Sequence, residues 1–218
     1  AEGRRYRFGH QPQIAHWNLS RLAESLVPVF PSLDPLHHGL DRFVEVYTGE
    51  YSAMMAAKFG LHHLNKEDGE LVAEAFELLH RAEVDMTLFF RKLAEIDAEA
   101  PSLAPLAEAF YSEELRNRYQ AAWQDWLSRY AERLRQEGAP AAGRRARMNA
   151  ANPRFVLRNY LAQEAIDLAE QGDVSRVHEL LDLMRRPYDE QPERGRFAAK
   201  RPDWARERAG CSMLSCSS

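Results

Sequence analysis

From residue 14 to residue 184 the apolar side chains return every three or four positions, and no stretch alternates them long enough for a strand. That period commits the chain to helices. Leu115, Tyr119, Ala122, Trp126, Tyr130 and Leu134 carry it through residues 112–137, which read as the longest unbroken helix, stopped by Gly138 and Pro140. Trp123 and Leu127 lie off that stripe, and apolar residues on two sides of a helix require deep burial or a partner.

Other segments follow the same rule. Residues 14–30 carry Leu19, Leu22, Leu26 and Phe30 on one side and Ile14 and Trp17 on another, which predicts an interior helix broken near Pro28. Residues 35–60 keep the period through Phe43, Tyr47 and Tyr51 and end at Gly60. A third helix covers 65–81, and Asp85 caps a fourth that carries Phe89, Phe90 and Leu93. Residues 143–148 are short and basic. Asn152-Pro153 reads as a helix start, with Asn as cap and Pro in the first turn. The apolar face of that helix is wide and interrupted by Arg158, Asn159 and Gln163, so its polar groups need buried partners. It ends near Gly172; Asp173 caps a last helix, which Pro187 closes.

The expected fold is therefore all-α, with seven or eight helices in one body over residues 1–186. Residues 187–218 are rich in Pro, Gly, Arg, Glu and Ser and read as an extended tail, too poor in apolar groups to fold alone.

Charge and length exclude several classes. The net charge is −4, which gives no electrostatic case for nucleic acid as a partner. No run approaches the roughly 18 apolar residues of a membrane span, and the first residues lack the basic-then-apolar order of a signal peptide. A soluble, cytoplasmic protein is expected, and Ala1 suits a fragment or a processed chain. The two cysteines, Cys211 and Cys216, both lie near the C-terminus, so no disulfide framework holds the body.

Cys211 and Cys216 are redox candidates, since Ser-rich flanks keep a thiol exposed; the alternative is two idle thiols on a frayed end. Asp34, His37, His38 and Asp41 share one helix face, the geometry of a metal site, but no second element supplies further ligands, and a solvated face is favoured. Arg144, Arg145 and Arg147 read as solvated or paired with nearby acids, ahead of a phosphate contact. The helix pair around Gly172 carries too few bases for a DNA-reading helix-turn-helix. No Gly-rich phosphate loop, nucleophile elbow or His-Glu-x-x-His motif occurs.

Three ordered segments resemble the selenoprotein O family. Met148-Asn149 with the run from Asn152 through Pro153, Arg158, Asn159, Tyr160 and Gln163 is similar to a family segment. Tyr6-Arg7-Phe8-Gly9-His10-Gln11-Pro12, with Trp17-Asn18-Leu19, is similar to the segment after the family's metal-binding loop. The last residues, from Gly210 through Cys211 to Cys216-Ser217-Ser218, are similar to its C-terminus, with Cys216 at the selenocysteine position. The run from Asp85 to Leu93 agrees as well.

The resemblance implies a kinase-like fold that transfers AMP from ATP, with Mg2+, to Ser, Thr or Tyr hydroxyls of protein substrates. It also implies that this chain is only the C-terminal part. The family's nucleotide- and magnesium-binding groups would lie upstream of Tyr6, so no catalytic, cofactor or metal residue is carried over, and the part alone is expected to be inactive, with no cofactor of its own. Its helices would instead support the catalytic loops and meet the upstream part of the protein. A tail mobile from Gly195, docked loosely by Phe197 and Trp204, would let Cys216 reach the upstream metal loop and act as a redox switch; a local Cys211–Cys216 bridge competes. The alternative function is a non-catalytic helical interaction module resting on Trp123 and Leu127.

Overall fold

A computed structural model describes residues 8–208, 210 and 211. Among them the secondary structure is helical, with a lone antiparallel bridge between Val84 and Phe110. The nine α-helices of the described residues are α1 (Gln11–Leu26), α2 (Asp34–Lys58), α3 (Asp68–Arg81), α4 (Met86–Leu93), α5 (Glu113–Arg118), α6 (Gln120–Glu137), α7 (Ala141–Ala151), α8 (Asn159–Ala169) and α9 (Ser175–Met184). The described residues fall into two compact units, one within 8–53 and one within 54–211.

In the first unit Pro12 sits in the opening turn of α1, where its missing N–H costs nothing. His16 meets Phe43, and Phe43, Tyr47 and Tyr51 stack one turn apart along α2. Contrary to the sequence expectation, α1 is not interior: none of its residues is buried, and Trp17 and Leu22 are about half exposed. Two helices cannot cover both apolar faces of one of them.

The second unit has two cores. Phe59, Phe89, Phe90, Trp123, Trp126 and Tyr130 build the larger, with α3, α4 and α6 around it. Trp126 Nε1 donates to Leu71 O at 2.8 Å and Tyr130 Oη to Phe59 O at 2.9 Å, so the aromatic stack also ties α6 to backbone on other elements. Trp123 and Leu127 are fully buried, which answers the two-sided pattern of α6 by packing and removes the sequence ground for an interaction surface there. Phe155, Tyr160, Leu161, Leu180, Leu183 and Phe197 form the smaller core.

Local signals explain most element starts. Asn65 and Asp68 cap each other's backbone N–H at 2.8 Å ahead of α3, and Asp85 Oδ1 accepts from Leu88 N at 3.0 Å to open α4. Ser112 does the same for α5 through Leu115 N at 3.2 Å. The expected helix over 112–137 is interrupted at Tyr119, where the backbone leaves helical geometry before α6 begins.

The larger correction is at Asn152. It ends α7 rather than starting a helix: its backbone is extended, and residues 153–158 run as a non-helical segment before α8 begins at Asn159. The amides that a helix would have used go elsewhere, since Arg154 N and Phe155 N both donate to Pro187 O. The tail also differs from expectation. Phe197, Ala198, Ala205 and Cys211 are buried in the smaller core, whereas Trp204 is half exposed.

Candidate functional site

The polar groups buried in the second unit converge on the segment between α7 and α8. Arg158 donates from Nη1 to Asp85 Oδ2 at 2.6 Å and from Nη2 to Asp85 Oδ1 at 2.9 Å. This is the two-pronged geometry that a guanidinium and a carboxylate share. Asp85 thus caps α4 and clamps Arg158 at once, and it also accepts from Tyr111 Oη at 2.9 Å. Burial pushes the Asp85 carboxyl up, but the Arg158 bonds and charge, with the Leu88 N–H and the Tyr111 hydroxyl, outweigh it and hold the carboxyl below its ordinary value. Burial, with the neighbouring Asp85 charge, pushes the Tyr111 phenol up, so it serves as a hydrogen-bond donor.

Arg91 is the second hub. Its Nη1 faces the carbonyls of Asn149, Asn152 and Tyr188 at 3.2–3.4 Å, and its Nη2 pairs with Glu190. Asn152, almost fully buried, sends its amide to Lys58 O at 3.0 Å. Its two hydrogen bonds through side chain and carbonyl therefore fix the exit of α7 against α2 and α4.

The basic cluster is used similarly. Arg144 is buried and donates to Ile96 O at 2.5 Å, Arg147 donates to Gly60 O at 3.1 Å, and only Arg145 matches the expectation of a pairing with an acid, Glu95 at 3.7 Å. Gly60 needs its identity. Its φ is +76°, and a Cβ there would stand 2.8 Å from Arg144 Cγ and Met148 Sδ.

Of these groups Arg91, Arg145 and Glu190 border a cavity of about 180 Å3, which Lys92, Glu95 and Arg154 also line. Its charges neutralise one another: Glu190 takes Arg91 and Arg154, Lys92 lies 3.7 Å from Glu95 and 3.5 Å from Glu108. Among the described residues no group of three or more His, Cys, Asp or Glu could hold a metal ion, the Asp34 face included. What this arrangement does chemically is position backbone.

The remaining sequence candidates are dispersed. Gln11, Pro12, Trp17 and Asn18 lie on α1 in the first unit; Asn152, Pro153, Arg158, Asn159 and Tyr160 lie together in the second, with Asn159 exposed and Tyr160 buried. Cys211 is buried, not exposed as its Ser-rich flank suggested, while Tyr6 and Cys216 fall outside the described residues. Sequence reasoning missed Arg91, Tyr111 and Glu190 as partners. Asp85 was legible as a cap, but nothing in its spacing pointed to Arg158.

A family model described as protein adenylyltransferase SelO matches residues 2–185. Among curated proteins, a protein nucleotidyltransferase YdiU of Aromatoleum aromaticum is 61% identical over all 218 residues of this chain. Its counterparts in an Azoarcus species and in Xanthomonas axonopodis are 60% and 57% identical over the same length. In each case the chain spans 42% of the relative's length. No helix among the described residues is long and apolar enough to cross a membrane.

Proposed function

The chain belongs to the SelO family of protein adenylyltransferases, and we propose that the protein carrying it moves AMP from ATP onto hydroxyl groups of Ser, Thr or Tyr in other proteins. In such a transfer the hydroxyl oxygen bonds to the α-phosphorus of ATP and pyrophosphate leaves. The observation that carries this reading is the family match over residues 2–185, joined to 54–61% identity with nucleotidyltransferases along the whole chain.

The described residues do not fit a nucleotide or magnesium site. Their carboxylates are spread out or committed to arginines, and the sequence has no phosphate-cradling loop. No chemical step is therefore assigned to them. Their part is support: Asp85–Arg158 and the Arg91 hub hold the α7–α8 segment to α4, and catalytic geometry held within about 0.5 Å depends on packing of this kind. A kinase-like arrangement of the complete protein, use of Mg2+, and a cytoplasmic setting belong to the same proposal. The reading as a bare interaction module loses its ground with the burial of Trp123 and Leu127.

Incubation of the whole protein with an acceptor protein and ATP labelled at either phosphate tests this. Label should reach protein from the α-phosphate and not from the γ-phosphate. Transfer from the γ-phosphate alone, or none from either, would overturn the proposal.

A further inference from the structure

The segment from Ala199 to Cys211 is held in an unusual way. It carries four basic residues, Lys200, Arg201, Arg206 and Arg208, against two acidic ones, Asp203 and Glu207, in a chain whose net charge is −4. Among its described residues only Ala205 and Cys211, both small, are buried, and the large Trp204 makes an edge contact with Tyr160 while staying half exposed. The attachments are polar. Lys200 donates to Phe110 O, Arg201 N to Tyr111 Oη at 3.1 Å, Arg206 to Glu83 at 3.0 Å, and Arg208 to both oxygens of Asp167 at 2.7 and 2.6 Å.

The last of these latches is assembled from several parts. Asp167 also accepts from Gln163 Nε2 at 2.9 Å, and Gln163 Oε1 lies where a Cβ on Gly210 would stand, 2.5 Å away. Gly210 itself has φ +81°, a conformation side chains rarely adopt. Arg208 O accepts from Cys211 N at 3.1 Å, so the turn that seats Gly210 against Gln163 also tucks the thiol in. Just before the segment, Phe197 is buried in the smaller core with Arg196 over its ring, an apolar anchor the segment itself lacks.

We propose that residues 199–208, with Gly210 and Cys211, form an electrostatically latched strap that opens as a unit behind the Phe197 anchor, exposing the Cys211 thiol while the helical cores stay folded. Exposed ion pairs weaken with salt, whereas packed aromatics do not, so the strap's hold on the body is sensitive to ionic strength. Local openings of this kind occur well below the free energy of global unfolding. A buried thiol is inert, and an exposed one alkylates, so Cys211 reports the opening directly. The inference stands apart from the proposed AMP transfer and does not need it.

The test uses the whole protein with Cys216→Ser, so that one thiol remains in the C-terminal peptide, and follows alkylation of Cys211 by iodoacetamide with peptide mass spectrometry. An Arg206→Gln/Arg208→Gln variant, and separately Gly210→Ala, should alkylate about tenfold faster than the parent. About 1 M NaCl, where charges more than about 3 Å apart are screened, should accelerate the parent similarly. Arg185→Gln, which breaks an exposed pair with Asp182 on α9, should change nothing. Thermal midpoints should stay with the parent throughout. Equal alkylation in all proteins would overturn the strap, as would acceleration that appears only with a matching fall in thermal midpoint, because the opening would then be global.

Discussion

Arg158 and Asp85, 73 residues apart in sequence, meet through two hydrogen bonds of 2.6 and 2.9 Å in the interior of the second unit. Neither side chain is free to hydrate if its partner is lost. Arg158→Ala should therefore cost about 2–4 kcal/mol, because it leaves a buried carboxylate that still needs a donor. Arg116→Ala, at an exposed i,i+3 pair with Glu113, should cost at most about 1 kcal/mol. Urea unfolding of both variants checks the difference; equal losses would remove the special status of the pair.

The same pair sets a pH dependence. Despite burial, which alone would raise it, the Asp85 carboxyl is held below its ordinary value by Arg158, the Leu88 N–H and Tyr111. A depressed folded-state value means the unfolded chain takes up the proton first. The stabilisation is then complete above the unfolded carboxylate value of about 3.9 and is lost as pH falls through the lower folded value. Asp85→Asn should lower stability at neutral pH and flatten its decline between about pH 5 and 2. Parallel stability curves for the two proteins would show that Asp85 does not carry this linkage.

Trp126 and Trp123 are both fully buried on α6, but among the described residues the Trp126 indole N–H has a partner, the carbonyl of Leu71, and the Trp123 nitrogen has none. Trp126→Phe removes a buried hydrogen bond to that carbonyl, whereas Trp123→Phe deletes an unpaired donor. The first should cost about 1–2 kcal/mol more than the second, a gap that thermal melts of the two variants would resolve. Equal costs would mean that ring volume alone decides both sites.

Gly60→Ala should destabilise by about 2 kcal/mol or more, since it combines a positive φ with contacts of 2.8 Å to Arg144 and Met148. Gly143, inside α7 with nothing near its would-be Cβ, provides the contrast: Gly143→Ala should stabilise by up to about 1 kcal/mol. Chemical denaturation of the two proteins gives opposite shifts if backbone geometry is what Gly60 supplies.

How much of this was legible in the sequence depends on range. Period and caps placed most helices, because the capping bonds of Asp85 and Ser112 span three residues. Asn152-Pro153 misled for the same reason in reverse. Its local signal is a good helix start, but the Asn152 side-chain amide is taken by Lys58 O, 94 residues away, and the backbone amides of Arg154 and Phe155 by Pro187 O. The tail was underestimated because its affinity for the body lies in arginine partners such as Glu83 and Asp167, which composition does not reveal. The need for a buried partner at Arg158 was readable; the partner's identity was not. The first unit misled differently, since a two-sided apolar helix such as α1 says that something covers it but not what.

Under the proposed function, residues 8–208 support AMP transfer without supplying a reacting group. Asp85 is the most demanding residue on which to test it, being a buried carboxylate with a depressed proton affinity. The decisive measurement is the rate of AMP transfer per folded molecule in the whole protein carrying Asp85→Asn, taken well below its melting temperature. Support alone predicts a rate within about tenfold of the parent, since a general base is worth roughly 100- to 10,000-fold and a holding contact much less. A loss of about 1,000-fold or more with the fold intact would contradict the account and place the chemistry at Asp85.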